Sequence, residues 1–351
     1  MNINRVLGFT AIGLFSNAVL MVVSFIFIRS SSSDVSGSFF YYVTVSSFLV
    51  NLAFFGNATY LNKVFSDFEK KDVSLLLSSV KVFVLLFFFL SILTIIASKD
   101  DLYIVVFVFI LLEMGLIKSY RERIFCSYTR VHGSSKDYAK IQVWYVFSKL
   151  LVTICYSNNY FSFDILIISY FLTSLPVFYQ TRYFVKDILY SNEYIKFVSY
   201  FKNGLPFFAA TIFTMGYDYA PILSLKLISN DLEGIGIFGS TYKLTSIIVI
   251  SLGILSQSLL PYFRGLFNKR SQKHVVYSGI LILLFVLFLY LPFYFILDYY
   301  AYDVILYTIG IEYISGITAF QYQLLGIWGS ICNFIIFTIL QAIDKQKIII
   351  L

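Results

Sequence analysis

The chain has 351 residues, of which 59% are hydrophobic and 13% charged, and its mean hydropathy is +0.82. Soluble domains run near 45–50% apolar and about 25% charged, so an ordinary soluble enzyme is excluded. The formal charge of +7, from 26 Lys and Arg against 19 Asp and Glu, follows a topological pattern set out below and implies no nucleic-acid partner.

A bilayer core about 30 Å thick requires about 20 apolar residues of helix at about 1.5 Å per residue. On that measure the apolar runs predict helices over 6–28, 38–58, 79–97, 102–120, 141–156, 163–181, 204–222, 235–258, 276–297 and 319–340. The first run is too long for a signal-peptide core and has no small-residue cleavage site after it, so it reads as helix one. The stretch 304–317 holds Glu312 and two glycines. It is short for a span and fits an interfacial segment better, although counting it as a span would invert everything after it.

Basic residues stay on the cytoplasmic side when helices insert. With the amino terminus inside, all of the 26 Lys and Arg fall on the inner side except Arg29, Lys99 and Lys226 outside and Lys149 and Lys243 within helices. The ten-helix topology satisfies that rule throughout. Every loop is short, leaving no place for a soluble catalytic domain. Cys126, Cys155 and Cys332 lie far apart, and His132 and His274 have no clustered Cys, Asp or Glu partners. Neither disulfides, metal nor any other cofactor is expected.

A shift of 197 residues pairs Arg29 with Lys226, Asp34 with Asp231, Gly37 with Gly234 and Gly56 with Gly253. Each copy joins a first helix to a second, and six helices separate them. The halves then read as parallel repeats about an axis along the membrane normal, an architecture that suits transport.

Several motifs recur in a fixed order: Asn203-Gly-Leu-Pro206, Tyr217-Asp218-Tyr219, Gly234-Ile-Gly-Ile-Phe-Gly-Ser-Thr-Tyr242-Lys243-Leu244, Leu260-Pro261-Tyr-Phe, Ile309-Gly310-Ile-Glu312-Tyr313 and Gln341-Ala-Ile-Asp-Lys-Gln-Lys347. With Gly37 and Phe55-Gly56 in the first half, they resemble the O-antigen and polysaccharide flippases of the multidrug/oligosaccharidyl-lipid/polysaccharide exporter superfamily. Phe238 and Thr241 stand where that family carries Tyr and Ala.

The resemblance implies an all-α, polytopic transmembrane bundle of MATE-like plan, built on two six-helix repeats, with six helices over 1–183 and four over 184–351. Because the family has about twelve helices and this chain reaches Leu351 at what resembles the start of helix eleven, the second bundle is expected to be incomplete. The implied substrate is an undecaprenyl-diphosphate-linked O-antigen or related repeat unit, moved by alternating access across a bacterial inner membrane. The implied partners are the bilayer, that lipid-linked oligosaccharide and other polysaccharide-assembly membrane proteins.

An ionisable side chain at the bilayer centre costs about 2.5–3.5 kcal/mol on insertion scales, which makes each one a candidate. Glu113 and Lys149 lie at depths that a lysine side chain can bridge. They are either a structural ion pair or an ion-sensitive carboxylate beside a substrate-attracting lysine. Asp218 and Lys243 are a second such pair. Coupling to a proton or sodium gradient is assigned to Glu113 or Asp218. Substrate binding is assigned to Lys149, Lys243 and a cationic rim of Arg29 and Lys226, because a diphosphate needs cations or backbone donors; snorkelling to headgroups is the alternative for the rim. Lys118 and Arg121 could receive substrate on the inner side or merely set topology. Gly204, Pro206 and Pro221 are hinge candidates, with Pro206 otherwise a simple helix starter.

Two other functions compete. An O-antigen polymerase is also polytopic but carries a long periplasmic loop with arginines, which this chain lacks. A cation-coupled drug exporter of the same superfamily favours an acidic cavity, against which the intramembrane cations argue.

Overall fold

A computed structural model of the chain describes residues 3–57, 60, 73–97, 104–118, 135–180, 197–269 and 272–343. Among them there are helices, turns and no strand. The helices are α1 (Ile3–Arg29), α2 (Ser33–Phe54), α3 (Val73–Ala97), α4 (Ile104–Leu112), α5 (Ser135–Ser157), α6 (Phe163–Ser174), α7 (Phe197–Ser229), α8 (Leu232–Lys269), α9 (Gln272–Tyr299), α10 (Ala301–Thr308) and α11 (Ile317–Ala342). Helix α4 continues as a π-helical turn over Glu113–Lys118, a short helix Pro176–Gln180 follows α6, and a 3-10 turn over Ile311–Gly316 precedes α11.

Six helical stretches among the described residues are long and apolar enough to cross a membrane: 11–29, 33–54, 78–96, 232–253, 272–299 and 311–342. Ile104–Gly115 and Phe163–Ser174 are apolar but shorter. Helices α5 and α7 occupy the other two expected spans, but their apolar content is diluted by Lys136, Asp137, Lys140 and Lys149 in one and by Lys202, Asp218 and Lys226 in the other. Stretch 304–317 divides into the end of α10, a break at Gly310 (φ +110) and the 3-10 turn.

Helix α9 shows what solvent these helices need. Its mean hydropathy is 2.8, yet only 6% of that stretch is buried. Leu284, Phe285, Phe288, Leu289, Phe295 and Ile296 are all exposed. An apolar helix exposed around most of its circumference is stable in hydrocarbon and insoluble in water.

By internal contacts the chain forms two compact units, one of residues 1–12 and 39–229 and the other of residues 13–38 and 230–351. These are contact units. The boundary expected at 183/184 concerns repeat ancestry, which contacts do not measure.

In the first unit α2 is the common neighbour. Phe54 stacks on Phe83 of α3 at 3.9 Å between centroids, Tyr42 packs on Phe107 of α4 at 5.2 Å, and Asn51 Nδ2 donates to the Tyr219 hydroxyl of α7 at 2.6 Å. The α2 terminus turns through two left-handed residues, Phe55 (φ +46) and Gly56 (φ +72). Asn57 Nδ2 then donates to the Phe54 carbonyl, an acceptor that the end of α2 leaves open, and to the Tyr200 carbonyl of α7, both at 3.1 Å.

In the second unit the core stripe is on α11, where Phe320, Leu324, Ile327, Ile331, Ile335 and Ile339 are buried at three- and four-residue steps. Helix α8 packs along α11, and Gly316 lets them approach: a Cβ there would lie 2.7 Å from Ile237 and 2.8 Å from Thr241. Helix α9 meets α11 at Gly279, opposite Ile339, and at Tyr290, whose hydroxyl donates to the Leu324 carbonyl at 2.8 Å. Small residues serve this role where helices pack in lipid.

Candidate functional site

Tyr145, Lys149 and Thr153 recur every four residues along α5 and so share one face. That face meets the start of the π turn and the middle of α6. Lys149 Nζ lies 2.7 Å from Glu113 Oε1, and the Tyr145 hydroxyl donates to the same oxygen at 2.5 Å. The ammonium also sits over two rings, 4.8 Å from the Tyr145 centroid and 4.6 Å from that of Tyr170. Thr153 Oγ1 shares a hydrogen bond of 2.5 Å with the Tyr170 hydroxyl and donates to the Lys149 carbonyl at 2.7 Å.

All five side chains are buried. A charge removed from water is costly unless its partner and its hydrogen bonds go with it. Here the ammonium has a carboxylate and two ring faces, and that carboxylate oxygen has two donors. The arrangement is an ammonium receptor occupied by the chain's own lysine. Glu113 opens the π-helical turn, an irregularity that is rare within helices and often marks functional positions. The sequence identified Glu113 and Lys149 but not Tyr145, Tyr170 or Thr153. The four-residue spacing on either side of Lys149 was the available signal for two of them.

The other candidates are dispersed. Arg29 ends α1, is exposed, and donates through Nη1 to the Tyr307 carbonyl at 2.8 Å, in the last turn of α10. A guanidinium suits the carbonyl-rich end of a helix. Lys226, its counterpart in the 197-residue alignment, lies in the other unit with Nζ over the Tyr41 ring at 5.4 Å. Asp218 and Lys243 are each partly buried, on α7 of the first unit and α8 of the second. Lys118 ends the π turn; Arg121, His132 and Cys126 lie outside the described residues, as does the tail after Ile343.

Helix α7 starts at Phe197, ahead of the expected residue 204, so Pro206 and Pro221 are both interior prolines. Pro206 is therefore no helix starter, and each proline leaves the carbonyl four residues earlier without its helical donor. Gly204 is a packing glycine: a Cβ would lie 2.1 Å from the Phe55 carbonyl oxygen. Among the described residues no group of three or more His, Cys, Asp and Glu is arranged to hold a metal.

No protein-family model matches the chain, and neither a curated protein nor a solved structure gives a significant match.

Proposed function

We propose that the chain is a transporter that flips a lipid-linked anionic glycan, an undecaprenyl-diphosphate-linked O-antigen or related repeat unit, from the cytoplasmic to the periplasmic leaflet of a bacterial inner membrane. The observation that carries this reading is a buried carboxylate–ammonium pair inside a chain of apolar helices. Buried charges in such chains mark ion and substrate paths by default. The motif resemblance gives the substrate class, and the distribution of basic residues gives a cytoplasmic amino terminus.

In this reading Lys149 is the cation that meets the diphosphate, and Glu113 is its partner when no substrate is present. Protonation of Glu113, or its occupation by sodium, weakens its hold and frees Lys149, which couples substrate capture to an ion gradient. Asp218 on α7 is a further candidate for ion coupling and Lys243 on α8 a further substrate-binding cation, and Arg29 and Lys226 each attract the headgroup at the outer face. Pro221, three residues after Asp218, places a bend of α7 beside that carboxylate, with Gly204 and Pro206 as hinge candidates nearer the helix start.

The test is complementation of a strain that accumulates inward-facing lipid-linked repeat units. Wild type is expected to restore surface glycan, while Lys149→Ala and Asp218→Ala, present in the membrane at equal amounts, are expected to fail. Full complementation by Lys149→Ala reduces the pair to a structural one.

A further inference from the structure

The Glu113–Lys149 pair has a support on its far side. Gly115 follows Glu113 by two residues in the π turn, and two residues rotate a helix by roughly half a turn, so the two positions face opposite ways. A Cβ on Gly115 would lie 1.8 Å from Cζ of Phe87 and 2.3 and 2.5 Å from its two Cε atoms. The tip of the Phe87 ring therefore rests on the Gly115 backbone, where only a glycine leaves room.

That ring has nowhere to retreat. Phe87 is fully buried and closes a series in which Phe54 stacks on Phe83 at 3.9 Å and Phe83 on Phe87 at 5.9 Å. Close-packed interiors pass such displacements on to their neighbours. The π turn thus lies between a fixed ring of α3 on one side and the Tyr145–Lys149 face of α5 on the other.

We infer that Phe87, bearing on Gly115, is the positioning residue that holds the π turn in place and keeps the Glu113 carboxylate against the Lys149 ammonium. The inference rests on the proposed role of that pair, because a transporter whose lysine must be held and released needs the holding geometry to be set by something other than the pair itself. Phe87 touches neither charge and acts through the Gly115 backbone.

The experiment reads the pair directly, without transport. The full chain in lipid nanodiscs is treated with a membrane-permeant activated ester, and modification of Lys149 and of Lys243 is followed by mass spectrometry. Gly115→Ala is expected to raise the rate at Lys149 about tenfold, through easier opening of the pair, and to leave Lys243 unchanged. Gly115→Ala combined with Phe87→Ala, which removes the supporting ring altogether, is expected to keep the Lys149 rate raised. If Gly115→Ala fails to fold, Phe87→Leu alone supplies the same reading, with an expected rise at Lys149 but not at Lys243.

An unchanged Lys149 rate in a folded Gly115→Ala or Phe87→Leu chain would overturn the positioning role, as would equal rises at both lysines. Because no flipping enters the readout, a failure of the transport reading shows itself separately, in complementation.

Discussion

Gly37 and Gly236 each face the backbone that opens the other's helix. A Cβ on Gly37 would lie 1.8 Å from the Leu232 carbonyl oxygen and 3.1 Å from the Gly236 nitrogen, while one on Gly236 would lie 1.9 Å from the Ser33 carbonyl oxygen and 3.0 Å from the Gly37 nitrogen. Ser33 and Leu232 are the first residues of α2 and α8, and each helix carries an acid next, Asp34 or Glu233. The two helix starts thus meet reciprocally, in a register of 199 residues.

Neither neighbour is a flexible side chain, so the contact cannot yield cheaply. Gly37→Ala and Gly236→Ala are each expected to destabilise the second unit by about 3 kcal/mol, the upper end of overpacking costs. Gly329→Ala is the control, because a Cβ there meets nothing within 4 Å inside α11. It is expected to be neutral or to stabilise by up to about 1 kcal/mol. Thermal unfolding of the three variants in one detergent reads the order.

The ion pair is expected to be strongly asymmetric to mutation. Removing one partner leaves a buried charge uncompensated, so Glu113→Ala or Lys149→Ala alone should cost about 3–5 kcal/mol. Removing both should cost less than the sum, because no charge remains. Denaturation of the single and double variants yields the coupling energy, and additive losses would contradict the paired geometry. Tyr145→Phe, which deletes one donor to the carboxylate, should cost about 1.5–3 kcal/mol.

Much of this was readable in advance. An apolar run of about 20 residues is a strong local signal, and the described residues of each of the ten expected spans are mostly helical, though among the described residues six stretches alone meet the length and apolarity of a span. Helix ends were less legible. Phe197-Val-Ser-Tyr-Phe201 is a weakly apolar lead into α7, while Gly204 and Pro206 look like a start. Gly204 reads in the sequence as a hinge candidate, and only the structure shows the Phe55 carbonyl packed against it. The 197-residue alignment pairs Gly37 with Gly234; Gly37 packs on the start of α8, while Gly234 lies beside its own cap, its N–H donating to Asp231 Oδ1 at 2.8 Å. The turn from α1 to α2 is one residue longer than that from α7 to α8, and an ungapped shift cannot absorb such differences.

Tyr313 is expected to fasten the α1–α2 turn to the 3-10 segment. Its buried hydroxyl lies 2.9 Å from Ser36 Oγ and 3.2 Å from the carbonyl oxygens of both Ile28 and Ser31. Tyr313→Phe leaves those buried acceptors without that donor and should cost about 1–3 kcal/mol. Ser36→Ala should cost less, because the tyrosine keeps its two carbonyls. Hydrogen exchange of residues 28–36 provides a local readout, with faster exchange expected in Tyr313→Phe.

Helix α9 supplies the sharpest test of the bilayer as its solvent. Val275, Gly279 and Tyr290 are its buried positions, while Leu284, Phe285, Phe288 and Leu289 are exposed in the protein. Exposure to water and exposure to hydrocarbon make opposite predictions for a cysteine there. In a chain whose native cysteines are replaced by serine, Phe288→Cys is expected to react with a membrane-impermeant maleimide at least about tenfold more slowly than Tyr299→Cys at the helix end, because a charged reagent does not enter hydrocarbon. Equal rates in intact membranes would mean that α9 faces water. Phe288→Arg should then be harmless, whereas in lipid it costs about 2.5–3.5 kcal/mol of insertion free energy and lowers the amount of chain recovered in the membrane.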